Sequence, residues 1–168
     1  MSEPTFEVKL LQKENRTGFD CGIEALNNYL QKQARSEMKR RVATCFVAIH
    51  QKTQKVAGYY TLSASQIPLT DLDEEWSRRL PRYRTVPAVL IGRLAVDQSF
   101  RKQGLGSGLI LDAVSRVMSS EIASNILAVD AKDENAMLFY QHLGFRQIPD
   151  GSSKMVIPVA TLANKMGL

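Results

Sequence analysis

Residues 92–108, GRLAVDQSFRKQGLGSG, decide how this chain is read. Residues 89–96, VLIGRLAV, are apolar but for Gly92 and Arg93 and have the length of a buried strand. A short loop follows, and then glycines that open a helix. Arg101, Gly104 and Gly106 spell R-x-x-G-x-G. A loop of this kind turns several backbone N–H groups toward one point, and the helix behind it adds the positive end of its dipole. Such a point seats an anion, and a pyrophosphate fits it best. Glycine is required because a side chain would block the approach of phosphate oxygens. The stretch does not spell the dinucleotide fingerprint G-x-G-x-x-G, and no G-K-[ST] follows as in a Walker loop. An ordinary strand–turn–helix with capping glycines stays open from this stretch alone.

Working outward, 168 residues suit one domain, residues 1–168, with a hydrophobic core. Hydrophobic residues make up 44% and charged residues 23%, the balance of a soluble globule. No apolar run approaches the ~18–20 residues that span a bilayer, and the N-terminus MSEPTFEVKL lacks the basic start and apolar core of a signal peptide. Cys21 and Cys45 make no disulfide framework. Two histidines, His50 and His142, without a C-x-x-C pair leave no expected metal site. A reduced, cytoplasmic protein is expected, with no membrane partner. Net charge is +5, and it is clustered. Lys32, Arg35, Lys39, Arg40 and Arg41 crowd one segment, and Arg78, Arg79, Arg82 and Arg84 surround Tyr83. Either group suits a phosphate backbone, and either also suits a solvated helix face.

The remaining pattern predicts an alternation of strands and helices. Residues 6–11 read as a first strand. Asp20 is the expected N-cap of a helix over 21–40, with Leu26, Leu30, Ala34 and Met38 facing inward. Residues 43–50 and 56–65 form an expected antiparallel hairpin. Residues 67–87 are an insertion with three prolines and one short helix over 71–80, of a length that is usually functional or interfacial. Behind the glycine loop, Leu105, Leu109, Ile110, Ala113, Val114 and Val117 make a helical stripe. Residues 126–131, ILAVDA, are a second buried strand. Asp133 caps a helix whose inner stripe is Ala136, Phe139, Tyr140 and Leu143, and Gly144 stops it. Residues 145–148 and 154–159 read as closing strands. The result is a mixed α/β sheet with helices on its faces.

The second segment matters for more than its helix. Residues 135–145 read NAMLFYQHLGF. Together with the R-x-x-G-x-G loop, and in this order, the chain resembles the GNAT superfamily of acyl-CoA-dependent N-acetyltransferases. The likeness extends over nearly the whole chain. GFDCG at 18–22, GYYTLS at 58–63 and GRLAVD at 92–97 resemble one branch, the GNAT toxins of bacterial toxin–antitoxin pairs. That resemblance implies an acetyl-CoA-dependent enzyme that acetylates aminoacyl-tRNA and so blocks translation. It also implies a homodimer neutralised by a ribbon-helix-helix antitoxin, with operator DNA contacted only through that antitoxin.

The resemblance assigns roles position by position. It implies a central sheet splayed at the cofactor, with pantetheine amides paired to the main chain of Leu94, Ala95 and Val96. A backbone N–H near Val96 is then the oxyanion donor. Arg101, Lys102, Gln103, Gly104, Leu105, Gly106 and Ser107 hold the phosphates of acetyl-CoA, with Lys102 toward the ribose phosphate. Asn135 bonds cofactor amides or the diphosphate. Tyr140 is the general acid that protonates the departing thiolate, since a phenol of pKa ~10 is protonated at neutral pH. Phe139, which needs no hydrogen-bond partner, suits the core better than Tyr140. No general base stands out, and neither histidine is assigned. An aminoacyl α-amine is less basic than a lysine, so water suffices as base. Two other functions remain open at this point: acetylation of a small amine or a protein amine, and a non-catalytic acyl-CoA-binding module.

Overall fold

The computed structural model describes residues 5–168. The chain divides into two compact units. The first holds the described residues up to Ser63 together with Gly92–Asp112, and the second holds Ala64–Ile91 with Ala113–Leu168. Among the described residues seven strands, β1 (Phe6–Leu10), β2 (Thr44–His50), β3 (Val56–Pro68), β4 (Thr85–Val96), β5 (Ile126–Asp130), β6 (Arg146–Gln147) and β7 (Lys154–Pro158), take the order β1-β2-β3-β4-β5-β7-β6, and β3 and β4 each pass from one unit into the other.

The first unit begins as an antiparallel meander. Strand β1 (Phe6–Leu10) pairs with β2 (Thr44–His50) from Phe6↔His50 to Leu10↔Phe46. Strand β2 pairs with β3 from Thr44↔Leu62 to Ile49↔Val56, with a register shift at Ala48/Ile49. The polar turn after His50 closes with the His50 N–H donating to the Lys55 carbonyl at 2.9 Å. The expected hairpin is therefore present, with β3 running three residues further, to Pro68.

The expected single helix over 21–40 is broken up. Helix α1 (Glu24–Asn28), a π-helical turn (Tyr29–Gln33) and α2 (Ala34–Lys39) follow one another. Asp20 is not the cap. Its carboxylate accepts from the Gly22 N–H at 2.9 Å and from Asn27 Nδ2 at 3.0 Å, so the chain makes a tight turn first and the helix starts later, behind Ile23. Leu30 and Ala34 are fully buried as expected, while Leu26 and Met38 are half-buried. The π turn carries one extra residue per turn, and Tyr29 joins the buried face. The core of this unit packs Tyr29, Leu30 and Ala34 onto Cys45, Val47 and Tyr59 of the meander.

In the second unit the first part of β4 runs parallel to β5 (Ile126–Asp130), from Ala88↔Ile126 to Ile91↔Val129. Strand β7 (Lys154–Pro158) is antiparallel to β5, and β6 (Arg146–Gln147) is antiparallel to β7. Ile126, Leu127, Ala128 and Val129 are all fully buried, as a continuous apolar run in a covered parallel pair should be. Strand β4 starts at Thr85, four positions earlier than the 89–96 run suggested, and so takes in Pro87. The proline lies just before the β5 register begins, where its missing N–H breaks no ladder bond, and its carbonyl accepts from the Asn125 N–H at 3.0 Å.

The insertion holds a 3-10 turn (Leu69–Asp71) and a short helix α3 (Glu74–Ser77) rather than one helix over 71–80. It is anchored by buried Leu72 and half-buried Trp76 and Leu80. Helix α5 (Glu134–Leu143) behaves as its sequence requires. Asp133 Oδ1 accepts from the Ala136 N–H at 2.7 Å, and Gly144 ends the helix at φ +104°. The closing strands are shorter than expected, and a final helix α6 (Val159–Lys165), not expected from the sequence, buries Val159, Leu162 and Ala163. Helix α4 (Leu105–Ser119) continues through both units, and all six stripe residues named from sequence are buried. Among the described residues no helix is long and apolar enough to cross a membrane.

Candidate active site

The first unit carries the glycine loop and the strand that feeds it. Lys102 (φ +63°) and Gly104 (φ +76°) both take the left-handed conformation, which turns successive N–H groups to one side. A Cβ on Gly104 would meet no protein atom within 4 Å. The glycine therefore serves the backbone conformation, and the space in front of it is open to a ligand. The first intrahelical bond runs from the Gly108 N–H to the Gly104 carbonyl at 3.0 Å. The N–H groups of Leu105, Gly106 and Ser107 precede it and are the unbonded donors of the helix start. Leu105 is buried, with its side chain near Gly58, where a Cβ would come within 3.3 Å of it and 3.0 Å of the Ala95 carbonyl. That close approach explains why a glycine stands at the head of the GYYTLS stretch. Arg101, Lys102, Gln103 and Ser107 are exposed.

The strand presents its main chain in an alternating way. The Asp97 N–H donates to the Ala57 carbonyl at 2.8 Å and the Arg93 N–H to Thr61 Oγ1 at 3.1 Å. Polar groups of successive strand residues point to opposite sides. The amides of Gly92, Leu94 and Val96 therefore face away from β3. On that side β4 runs on for residues 92–96 past its last partner in β5. A strand edge of this kind suits amides of an extended ligand, and it leaves Ala95, which is buried, to the core.

A clamp that sequence reasoning missed holds the loop. The buried Asp97 accepts from the Asp20 N–H at 2.9 Å through Oδ2 and from the Ser99 N–H at 2.8 Å through Oδ1. The Gln98 N–H donates to the Asp20 carbonyl at 2.9 Å, and the Arg101 guanidinium donates to the Cys21 carbonyl. Arg101 thus spends one of its five donors on the Cys21 carbonyl. The GFDCG stretch is the partner of the glycine loop. An Asp followed two residues later by Ser hints at a local turn, but nothing in the sequence ties it to residue 20.

The second unit carries Asn135 and Tyr140. Asn135 is exposed in the first turn of α5. Tyr140 is 6% exposed and lies between two rings, Phe139 (centroids 5.1 Å apart, 66°) and Phe145 (5.2 Å, 64°). Phe139 is only half-buried, so the expected allocation of these two aromatics to core and surface is reversed. The reason is the helix stop. After Gly144 the chain turns back, the Phe145 N–H donates to the Tyr140 carbonyl at 3.0 Å, and Phe145 covers the Tyr140 ring. Burial first, and the Asp130 carboxylate second, push the phenol up to about 12. Among the described residues no acceptor is bonded to its hydroxyl, and no fully buried side-chain oxygen is left unpaired, so the hydroxyl keeps an open side. A phenol held neutral and poised in this way suits proton donation.

The histidines are accounted for elsewhere. His50 bonds Thr53 at 2.8 Å and lies against Phe6 and Phe100, and the exposed His142 offers its carbonyl to Lys165 at 3.1 Å. Both basic groups are exposed. Lys32, Arg35, Lys39, Arg40 and Arg41 belong to the first unit. Arg78, Arg79, Arg82 and Arg84 belong to the second, around the 73% exposed Tyr83. Arg78 and Arg79 also line a cavity of about 480 Å³ in that unit, beside Trp76, Leu80 and Lys165.

Residues 41–147 match the acetyltransferase (GNAT) domain family. A tRNA-acetylating toxin of Mycobacterium tuberculosis (strain ATCC 25618 / H37Rv) is 30% identical over 143 residues, which cover 84% of this chain and 84% of that one. The structure of AtaT complexed with acetyl-methionyl-tRNAfMet superposes with a TM-score of 0.86 at 27% identity, covering 96% of this chain and 99% of AtaT. AtaTR bound with AcCoA superposes with a TM-score of 0.81 at 27% identity, covering 96% and 98%. The match over residues 41–147 spans more than half of the sequence, and this chain therefore belongs to the GNAT acetyltransferase family.

Proposed function

We propose that the chain, as one domain, transfers the acetyl group of acetyl-CoA to the α-amino group of an aminoacyl-tRNA and acts as the toxin of a toxin–antitoxin pair. The observation that carries this reading is the coexistence of an open glycine loop with a buried, unbonded phenol in a chain 30% identical to a tRNA-acetylating toxin. The diphosphate of acetyl-CoA is held by the N–H groups of Leu105, Gly106 and Ser107, with Arg101, Lys102 and Gln103 around it. The main chain of Leu94 and Val96 takes the pantetheine amides on either side of Ala95, and Asn135 adds a carboxamide. The neutral amine attacks the thioester carbonyl, whose oxygen gathers negative charge against the Val96 N–H. As the carbon–sulfur bond breaks, Tyr140 gives its proton to the leaving thiolate, and the new amide sheds its extra proton to water. The cytoplasm is the compartment in which charged tRNA is met. A ribbon-helix-helix antitoxin is the partner this reading requires, with operator DNA reached through it, and the active form is a homodimer.

The acid–base assignment sets a pH profile. An α-amine has a pKa of ~7.7–8.0 and an aminoacyl ester lies lower, whereas Tyr140 keeps its proton up to about 12. Transfer therefore rises with pH while the acceptor amine loses its proton. It then stays level to about pH 10, because the proton donor has not titrated. Initial rates at saturating acetyl-CoA check this. A falling limb between about pH 8 and 10 assigns the proton donor to another group.

The acceptor is tested with labelled acetyl-CoA offered to charged tRNA, uncharged tRNA, a polyamine and a protein mixture. Label is expected on charged tRNA alone, at the amino acid's nitrogen. Label on the polyamine or the proteins, with none on charged tRNA, replaces this reading with a small-amine or protein acetyltransferase. Reversing Arg78, Arg79, Arg82 and Arg84 to Glu should depress transfer to charged tRNA and flatten its salt dependence, by a log–log slope of roughly 0.7–0.9 per lost phosphate contact. Acetyl-CoA affinity should be unchanged. Equal loss for both ligands would show that the cluster supports the fold instead.

A further inference from the structure

One cation of the first unit is used by neither the loop nor the clamp. Arg93 lies on β4, one residue before Leu94, and its side chain leaves the strand on the face shared with Ala95, over which Tyr29 packs. Its guanidinium carbon sits 3.7 Å from the centroid of the Tyr29 ring. The support beneath it is rigid. Tyr29 is 1% exposed, its hydroxyl donates to Glu37 Oε1 at 3.0 Å, and its ring stacks on Tyr59 at 6.1 Å and 15°. Tyr59 is itself tied to the Leu26 carbonyl at 2.7 Å. The strand is pinned at the same residue by the bond from the Arg93 N–H to buried Thr61. Tyr29 opens the π-helical turn, a feature frequent at functional sites.

What this platform holds is an idle fork. Among the described residues no carboxylate, carbonyl or hydroxyl is bonded to the Arg93 guanidinium, so all five of its N–H donors are unspent. Arg93 is half-buried. An arginine whose face is fixed on an aromatic ring and whose edge is free is pre-organised for a two-pronged oxyanion, such as the two non-bridging oxygens of a phosphate. Its place on the strand sets the distance. Three residues of extended chain separate Arg93 from Val96, about 10 Å. In a 3′-aminoacyl nucleotide the path from the α-amino nitrogen to the 5′ phosphorus is about eight bonds long, on the order of 10 Å when extended.

We propose that Arg93 binds the 5′ phosphate of the acceptor's terminal nucleotide and so sets the aminoacyl end against the strand that carries Leu94 and Val96. This rests on the aminoacyl-tRNA reading above and extends it from a class of acceptor to one recognised group.

The test uses two acceptors that differ by that phosphate alone: a 3′-aminoacylamino-3′-deoxyadenosine and its 5′-monophosphate. Each is run as a substrate and as a competitor of charged tRNA, so that binding is read even where turnover is slow. The full-length wild type should favour the phosphorylated acceptor by about ten- to a hundred-fold in KM or inhibition constant, the usual reach of a charge-assisted bidentate pair. Arg93→Gln should erase that preference while leaving the unphosphorylated acceptor and acetyl-CoA within about two-fold of wild type. Arg93→Lys, which keeps the charge and loses the fork, should restore part of it. A guanidinium that merely caps Tyr29 would instead lower the thermal midpoint and weaken both acceptors alike. Equal affinity for the two acceptors in wild type, or a preference that survives Arg93→Gln, overturns the proposal. Failure of wild type to label charged tRNA at all overturns the acceptor reading, and this inference falls with it.

Discussion

Replacing Tyr140 by phenylalanine should slow acetyl transfer by about 10²–10⁴ while acetyl-CoA binds within a few-fold of wild type. The substitution is unusually clean here. The ring stays between Phe139 and Phe145, and the hydroxyl that is lost has no hydrogen-bond partner among the described residues. Removing a partnerless hydroxyl from a buried position leaves stability unchanged or raises it slightly. The thermal midpoint of the variant should therefore match or exceed that of wild type, which separates a chemical defect from a folding one. Phe145→Ala provides the contrast. It removes the fully covered ring that shelters Tyr140, and should cost about 3–5 kcal/mol of stability along with activity. Single-turnover rates, calorimetric affinity for acetyl-CoA and thermal midpoints measure all three quantities. If the Phe variant transfers acetyl at the wild-type rate, the proton comes from elsewhere.

Gly104→Glu should abolish acetyl-CoA binding without unfolding the protein. Gly104 sits at φ +76° with no protein atom within 4 Å of a Cβ. Any side chain there carries the left-handed penalty of about 1–2 kcal/mol, and none clashes with the protein itself. Glutamate additionally places a carboxylate where the loop and helix start gather positive potential. Gly104→Ala shares the backbone strain but not the charge, so the two variants should have similar unfolding midpoints without ligand. They should differ with ligand. At about 100 times the dissociation constant, acetyl-CoA adds about 2.7 kcal/mol to wild type. The alanine variant should keep part of that gain and the glutamate variant none. Unchanged affinity in the glutamate variant would move the phosphate site away from this loop.

Much of this site is legible in the amino-acid order, because much of it is local. The left-handed loop at Gly104 follows from glycine's conformational freedom. The six buried positions of α4 and the four of β5 follow from periodicity. The cap at Asp133 and the stop at Gly144 follow from residue chemistry within one turn of the helix end. These features depend on neighbours a few residues apart, and the sequence carries those neighbours explicitly. The resemblance that names the family also rests on two such local segments.

Elsewhere the local signal competes with packing and loses. A spacing of four from Leu26 to Met38 reads as one helix, yet the chain inserts a π turn and brings Tyr29 inside, where it meets Tyr59 and Arg93. Asp20 has the chemistry of a cap and is used to fasten a turn instead. Phe139 has the chemistry of a core residue, but Phe145 covers Tyr140.

Local sequence thus suffices for the strand–loop–helix around Gly104, for the signature helix with its phenol, and through them for the GNAT family. Which groups are spent and which remain available is a matter of tertiary packing. The bonds between Asp97 and Asp20 and between Arg101 and Cys21 join residues 77 and 80 positions apart. They commit part of Arg101 to holding its own loop, while Arg93 is left with a free edge above a buried ring. Periodicity and propensity act over a turn or a strand, whereas such pairings exist only once burial of the core has brought distant segments together.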